Sequence, residues 1–373
     1  MGMKQRVLLV LPHPGIDNFA ESLVRTLTEY DFKILAFNAR GSSSPESVWP
    51  KLMLTRLSGL EWRNLPFQVV RVSKLIRDLK PDVIHTTDYK CAIIISLVKI
   101  FTFSRIPFLL NRHYNKTHHD LNKKHVYVDR FLQFIANCVV VVSYAQKETL
   151  TALERCPAQK IRVIHNGVEM ERLIVDENVV SSIKSEFKVK SKFSLVAVGR
   201  IHSQKDYPTL IESVEYVKRL GYDIHLYICG NTNRLEQTFL DKRVSELHLT
   251  SNITFLGYVD NALNYVSAAD IFVQSSMDEA FGVSILEAIL LKKEIAVTTP
   301  GGVIEFVSRF HEFLPSGDPD VLARKIISVL DTSEQKCLPC SEIDYSYLIS
   351  RFDFKITAHR YSNVYQDLIS DSA

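Results

Sequence analysis

The alternation of short apolar runs with helical stretches is the feature that most constrains this fold. Runs such as "RVLLVLP" (6–12) and "CVVVVS" (138–143) are apolar almost throughout, not at every second residue. Strands of that kind have both faces covered, as in a parallel sheet with helices on each side. The first half therefore predicts a doubly wound α/β domain. Its predicted strands are 6–12, 32–37, 82–87, 107–113, 138–143 and 160–168.

This rhythm stops at residues 169–191 and then restarts, which indicates a second doubly wound domain. The interval is polar and mixed in character, so we expect a linker or a helix leading out of the first domain. A chain of 373 residues is long enough for two domains. We place them at 1–168 and 169–353, with a helix at about 354–371 as a candidate to pack back on the first. The second-half strands are 193–199, 223–229, 252–257, 270–275 and 294–299.

Composition narrows the class of protein. Hydrophobic residues make up 46% and the net charge is +3, so neither a membrane-spanning nor a nucleic-acid-binding chain is indicated. The apolar run that begins the chain ends at Pro12 and Pro14 without a small-residue cleavage site, which does not fit a signal peptide. The stretch "CAIIISLVKIFTF" (91–103) contains Lys99 and is too short to cross ~30 Å of hydrocarbon. We expect it to be a buried helix.

Six cysteines, most of them in apolar runs, fit a reducing compartment, and we expect a cytoplasmic protein. Cys337 and Cys340 form a single CxxC pair, which by itself is a weak metal or redox signal.

Two loops of the second half carry charged residues next to predicted strand ends. In "VGRIHSQKDYPTLIESV" (198–214), Gly199 and Arg200 end a strand and Lys205 precedes a helix. Two cations from one loop can hold a diphosphate, although an ordinary solvated loop would look the same. The segment "TTPGGVIEFV" (298–307) repeats the arrangement of strand, glycine pair and helix.

The stretch "DEAFGVSILEAIL" (278–290) places Glu279 and Glu287 on either side of a helix start near Gly282. Free backbone N–H groups of Gly282, Val283 and Ser284 could bind phosphate or sugar oxygens. Glu287 lies among apolar residues and needs a partner, which could be the vicinal hydroxyls of a ribose or a lysine.

Candidates in the first half are less specific. Gly15 follows the first strand and His113 ends another. Residues 112–130 are rich in histidine and lysine without a carboxylate-backed ligand spacing, so a basic loop facing an anionic acceptor or lipid, or a merely solvated loop, is favoured over a metal site. Asp318 and Asp320 imitate a metal-binding DxD, but they stand at a predicted helix start and are interpreted as a cap.

The motifs "VGR…K", "EAFGVSILE" and "TTPGG…E", in this order, resemble the retaining, nucleotide-sugar-dependent glycosyltransferases of family 4 (glycosyl transferases group 1), which have the GT-B fold. The specific part of the likeness is residues 193–305. The resemblance implies two Rossmann-like domains facing each other across a cleft. It also implies catalytic roles for His113, Arg200, Lys205 and Glu279. The donor-binding residues implied are Gly15, Gly199, Arg200, Lys205, Phe281, Gly282, Val283, Ser284 and Glu287.

Such an enzyme would move a sugar from a nucleotide diphosphate to a glycan or lipid-linked acceptor, in cell-surface polysaccharide or lipopolysaccharide synthesis, without a metal or other cofactor. A nucleotide-sugar epimerase and a catalytically silent GT-B partner subunit are the alternatives. The chain departs from the family pattern at Asp206, where glycine is usual after the lysine, and in its first loop, which keeps the single glycine Gly15.

Residues 49–63 suggest a membrane contact. On a helical wheel Trp49, Met53, Leu57 and Leu60 form one apolar stripe with basic residues beside it. A helix of this kind could lie on an anionic membrane surface at the inner face of the cell membrane, or pack on its own domain.

Overall fold

The computed structural model describes residues 4–12, 18–38, 57–58, 65–113, 125–308, 311–334 and 343–371. The chain divides into two compact units. The first unit comprises Met1–Asn166 and Phe354–Ala373, and the second unit is Gly167–Asp353. The boundary expected from the sequence lies two residues further along the chain.

The first unit is built on a parallel sheet with the strand order β3-β2-β1-β4-β5-β6-β7 among the described residues. The order reverses between β1 and β4, as in a doubly wound fold. The strands are β1 (Arg6–Leu11), β2 (Asp31–Asn38), β3 (Leu57–Ser58), β4 (Val83–Thr86), β5 (Phe108–Arg112), β6 (Cys138–Val141) and β7 (Ile161–Val163). The helices are α1 (Asn18–Thr26), α2 (Leu65–Leu79), α3 (Tyr89–Thr102), α4 (His125–Ile135) and α5 (Tyr144–Ala152).

The second unit repeats this plan with a parallel sheet of order β10-β9-β8-β11-β12, which reverses between β8 and β11. Its strands are β8 (Phe193–Val198), β9 (Ile224–Cys229), β10 (Ile253–Gly257), β11 (Ile271–Gln274) and β12 (Glu294–Val297). Its helices are α6 (Glu177–Lys190), α7 (Tyr207–Arg219), α8 (Arg234–Glu246), α9 (Ala262–Ala268), α10 (Val283–Leu290), α11 (Ile304–Val307), α12 (Pro319–Glu334) and α13 (Tyr345–Phe352). The predicted α/β class with two doubly wound sheets is confirmed.

The last helix, α14 (Phe354–Ser370), belongs to the first unit. Its buried residues join the core that covers one face of that sheet. Tyr361 stacks on His85 of β4, and the Tyr365 hydroxyl lies 2.8 Å from His85 Nδ1. Burial, with a smaller effect from His113, lowers the pKa of His85 to about 3. This histidine is therefore a neutral part of the core.

The segment 169–191 is part of the second unit and contains the helix α6, which was one of the two alternatives left open by the sequence. Asp176 caps α6 by accepting hydrogen bonds from the backbone N–H groups of Asn178 and Val179. Val180, Ile183 and Phe187 are buried, and the Phe187 ring stacks on Tyr227 of β9 at 3.8 Å. Three core residues in a 14-residue helix make a narrow apolar stripe, which the charged residues around it obscure in the sequence.

Two predictions from the sequence concern membranes. The apolar stretch 91–103 forms most of α3 and its C-cap. Residues 91–96 and Val98 are buried, which confirms the buried-helix interpretation for this part, whereas Phe101 and Phe103 are exposed. No helix among the described residues is both long and apolar enough to span a bilayer.

The prediction of a helix across 49–63 was wrong at Leu57 and Ser58. These two residues form strand β3, which pairs with β2. Gly59 disfavours a helix by about 1 kcal/mol, and the edge of β2 offers backbone hydrogen bonds instead. The other residues of that stretch lie outside the described part of the chain.

Phe187 gives a direct test of the packing of α6. Phe187→Ala should destabilise the second unit by about 3–5 kcal/mol, because it leaves a cavity against Tyr227. Val189→Ala is the matched control, since that side chain is exposed on the same helix and should change stability by less than about 0.5 kcal/mol. Urea unfolding measures both, and equal effects would show that α6 does not pack as described.

Candidate functional site

The reversal point of the second sheet brings the two charged loops together. β8 and β11 are parallel neighbours, with Leu195 beside Ile271 and Val196 beside Phe272. Their carboxyl ends therefore lie side by side, followed by the loops that begin at Gly199 and Ser275. Ligands of open α/β sheets bind at such a point.

An ion pair joins these loops. Lys205 Nζ lies 2.6 Å from Glu279 Oε1, and both side chains are largely buried. The same oxygen accepts hydrogen bonds from Gln274 Nε2 at 2.7 Å and from Ser276 Oγ at 2.8 Å. Gln274 in turn accepts a hydrogen bond from the Ser284 hydroxyl at 3.1 Å. The Glu279 carboxylate is thus fixed from β11 as well as by Lys205.

The backbone reinforces this contact between loops. Met277 N donates to Gln204 O at 2.9 Å, and the Ser275 hydroxyl lies within hydrogen-bonding distance of the carbonyls of Lys205 and Asp206. Asp206 itself has φ 47° and ψ 50°, in the left-handed region. Glycine favours that region, and aspartate is one of the few other residues that enter it readily. The aspartate that stands here in place of the usual glycine therefore adopts a backbone conformation that glycine also favours.

Two glycines permit the close packing of the loop after β8 against the residue that follows β9. A Cβ on Gly199 would lie 3.1 Å from Lys205 Cε, and a Cβ on Gly230 would lie 1.9 Å from Gly199 O. The buried Tyr207 hydroxyl donates to the same Gly199 carbonyl at 2.8 Å. Gly230 was not among the residues predicted from the sequence. Its position directly after strand β9, in "YICG", was the available signal.

The start of α10 supplies backbone donors. Gly282 has φ 92°, and a Cβ there would lie 2.9 Å from Val303 Cγ2. Ile285 and Leu286 are the first residues of this helix whose N–H groups donate to a backbone carbonyl, that of Gly282. The N–H groups of Val283 and Ser284 have no backbone acceptor among the described residues. The Phe281 side chain is buried against Phe306 and Phe352, which leaves its backbone as the part able to line a site.

A cavity of about 430 Å³ opens between these elements. Arg200 and Lys205 contribute cations to its wall, and Val283 and Ser284 bring the helix start, while no carboxylate belongs to the lining. A cavity with this wall fits an anion such as a diphosphate. The lining residues are Val198, Gly199, Arg200, His202, Gln204, Lys205, Val283 and Ser284.

Glu287 is half-buried in α10, and no described residue forms a hydrogen bond or ion pair with its carboxylate. The lysine partner considered from the sequence is not found. Burial raises the pKa of Glu287 to about 7, against a weaker opposing attraction from Arg172. A carboxylate left in this way is suited to accept hydrogen bonds from a ligand.

Two candidates, His113 and Gly15, belong to the first unit. His113 follows β5, with its Nε2 2.9 Å from Asn111 Nδ2 and its ring 5.2 Å from that of Phe19. Gly15, Cys337 and Cys340 fall outside the described residues.

The acidic pair at 318–320 was interpreted as a helix cap, and the structure confirms it: Val321 N donates to Asp318 Oδ1 at 3.0 Å. Among the described residues, no three histidine, cysteine or acidic side chains are grouped to hold a metal ion.

Comparison with known proteins shows the family. Residues 15–172 match the model of Glycosyltransferase Family 4, and residues 180–342 match that of Glycosyl transferases group 1. The chain belongs to the group 1 glycosyltransferases. Relatives of this glycosyltransferase include an uncharacterized glycosyltransferase of Methanocaldococcus jannaschii, 24% identical over 67% of this chain and 66% of the relative. The O-antigen chain mannosyltransferase RfbU of Salmonella typhimurium is 28% identical over 68% of this chain and 69% of the relative.

Solved structures confirm the GT-B fold of this glycosyltransferase. Anabaena HepE in complex with UDP and glucose superposes with a TM-score of 0.82 at 16% identity, over 97% of this chain and 100% of that chain. This chain spans about two thirds or less of the length of several curated relatives that it matches.

The titration of Glu287 makes a prediction about stability. Its pKa is raised above the ordinary value of 4.5, so ionisation costs the folded state stability as pH rises from 4.5 to about 7, and the full cost remains above that. Glu287→Gln should therefore be more stable than the wild type at pH 8 by about 1–3 kcal/mol, and the gap should close towards pH 5.

Thermal unfolding of the ligand-free protein across this pH range measures the difference. Glu186→Gln is the matched control, because that glutamate lies at an exposed position of α6. A gap that is constant with pH would refute the raised pKa.

Proposed function

We propose that this glycosyltransferase transfers a sugar with retention from a nucleotide-diphosphate donor to a glycan or lipid-linked acceptor. The observation that carries the proposal is the cavity at the β8–β11 reversal, whose wall combines two cations with a helix start. The Anabaena HepE structure that shares its fold contains UDP and glucose, which supports a nucleotide sugar as the donor.

In the proposed complex the donor diphosphate occupies this cavity. Arg200, Lys205 and the N–H groups of Val283 and Ser284 stabilise the negative charge that grows on the diphosphate as it departs. Lys205 exchanges its contact with Glu279 for the phosphate. Glu279 keeps its orientation when this happens, because Gln274 and Ser276 still donate to its Oε1. Its carboxylate can then accept hydrogen bonds from the donor sugar.

Glu287 is proposed to hold the ribose. Its carboxylate has no described partner, and two vicinal hydroxyls would satisfy both of its oxygens. Hydrogen bonds from the ribose favour the charged form, so donor binding should lower the pKa of Glu287 from about 7.

The proposed reaction takes place on the leaving-group face of the sugar. The acceptor hydroxyl attacks the anomeric carbon from that face, the bond to the phosphate oxygen breaks, and the hydroxyl proton passes to that oxygen. His113 is proposed to contact the sugar and acceptor. We propose that no metal is needed, since Arg200 and Lys205 offset the charge of the diphosphate, and so activity should survive EDTA.

The acceptor is proposed to be an intermediate of cell-surface polysaccharide or lipopolysaccharide synthesis, handled at the cytoplasmic side of the membrane. The similarity to an O-antigen chain mannosyltransferase supports this. A nucleotide-sugar epimerase would instead turn over donor without an acceptor, and a silent partner subunit would release no nucleotide.

The first test of function is a panel of nucleotide sugars, screened by thermal stabilisation and then by acceptor-dependent release of nucleotide. With the donor found in this way, Arg200→Ala and Lys205→Ala should each lower kcat/KM by on the order of 10²-fold, because each removes a charge that stabilises the departing diphosphate. Arg219→Ala, on the exposed face of α7, is the control and should be near wild type. Near-normal activity of folded Lys205→Ala would refute the diphosphate assignment.

A second prediction separates the two glutamates. Calorimetric titration should show that Glu287→Ala weakens binding of the nucleoside diphosphate by about tenfold or more, since charged hydrogen bonds to the ribose are lost. Glu279→Ala should retain that affinity but lose turnover. Gln274→Leu should resemble a milder Glu279→Ala, because it removes a donor that orients the carboxylate. If Glu279→Ala loses the nucleotide and Glu287→Ala does not, the two roles are reversed.

A further inference from the structure

Helix α4 of the first unit is apolar on both of its sides. Val128, Leu132 and Ile135 pack into the core beneath it. Its outer side presents Tyr127, Phe131 and Phe134, at a spacing of four and then three residues, and these rings are 71%, 37% and 78% exposed. A surface helix of a soluble protein normally has polar residues on that side.

The end of α3 adds two more exposed rings, Phe101 and Phe103. Phe103 is 90% exposed and has φ 49°, in the left-handed region where glycine normally ends a helix. A bulky side chain in this conformation costs of order 1 kcal/mol, and exposure to this degree brings almost no packing to offset it.

These rings belong to neighbouring helices. At the start of the two helices, the ring of Tyr89 in α3 lies 5.8 Å from that of His125 in α4. At their ends, Asn137 after α4 exchanges hydrogen bonds with Phe108, which follows α3, at 2.9 and 3.0 Å. The helices therefore lie side by side. We call the exposed rings the aromatic surface; they are Phe101, Phe103, Tyr127, Phe131 and Phe134.

The exposed charged side chains of the described residues 89–113 and 125–137 are cations. In the described residues 89–113 and 125–137 the single carboxylate is Asp129, which is fully buried 3.3 Å from Arg112. Lys90 and Arg105 are exposed, and the Arg130 guanidinium lies 5.9 Å from the centre of the Tyr127 ring. Cations without exposed carboxylates complement a negatively charged partner.

We propose that the aromatic surface docks on an anionic lipid membrane. Aromatic rings can enter the boundary between headgroups and acyl chains, while the cations beside them attract negative headgroups. The aromatic surface shares no residue with the stretch 49–63. The proposal is independent of the proposed function, since membrane binding needs neither donor nor acceptor.

Flotation with vesicles tests the proposal on the full-length protein. The wild type should float with phosphatidylcholine vesicles that contain phosphatidylglycerol, less so at high salt, and weakly with phosphatidylcholine alone. The double variant Phe103→Ser/Phe134→Ser should bind at least about tenfold more weakly, and Arg105→Glu should lose most of the preference for anionic lipid.

The matched control is Leu235→Ser/Phe239→Ser, which removes two rather exposed apolar side chains from α8 of the second unit, at 84% and 60% exposure. It should float like the wild type. All of these side chains are exposed, so each variant should keep the circular dichroism and melting temperature of the wild type.

Three results would overturn the proposal. The first is failure of the wild type to float with any vesicle, and the second is equal binding by Phe103→Ser/Phe134→Ser. The third is a wild-type dimer in analytical ultracentrifugation that becomes a monomer in that double variant while vesicle binding is unaffected, because the aromatic surface would then be a contact between protein chains.

Discussion

The ion pair between Lys205 and Glu279 is the contact on which the candidate site depends. It joins the loop after β8 to the loop after β11, and each loop alone would be a charged surface segment. Exposed ion pairs contribute little to stability, but this one is largely buried and shares its acceptor oxygen with Gln274 and Ser276. The pair therefore fixes the position of the two loops, and with them the cavity beside the start of α10.

The arrangement also has a chemical consequence. Without a negative partner, the charge of Lys205 would repel neighbouring cations such as Arg200. Glu279 offsets that positive charge in the ligand-free protein. In the proposed complex the anion replaces Glu279 beside Lys205, and the hydrogen bonds from Gln274 and Ser276 keep the carboxylate in place. Glu287 differs from Glu279, because no described residue pairs with its carboxylate and burial raises its pKa to about 7. The two glutamates of one motif are thus prepared for different partners.

The sequence predicted most strands of both sheets well, because buried parallel strands are short, continuous apolar runs bounded by turn residues. It left α6 undecided between a linker and a helix, since Val180, Ile183 and Phe187 are separated by polar and charged residues. The packing of Phe187 on Tyr227 is visible only in the folded structure. At Leu57 and Ser58 a helical spacing gave way to pairing with an available strand edge.

The residues of the candidate site also differ in how well the sequence predicts them. Gly199, Lys205, Glu279 and Glu287 were found from local motifs, because they lie in the loops after β8 and β11 or in the helix α10 that follows. Gln274 and Gly230 were not, since one acts through a side-chain contact across a loop and the other through the carbonyl of a residue 31 positions away. The left-handed conformation of Asp206 was not predicted either, because aspartate adopts the right-handed and extended regions more often.

Amide hydrogen exchange tests the central claim, that the cavity at the β8–β11 reversal receives the donor diphosphate. The full-length protein would be measured alone and with whichever of UDP, GDP and ADP binds it. The account predicts slower exchange at Val283 and Ser284, whose N–H groups have no described backbone acceptor, and in the loop from Gly199 to Lys205. Protection confined to other parts of the chain, with exchange at Val283 and Ser284 unchanged at saturating nucleotide, would contradict it.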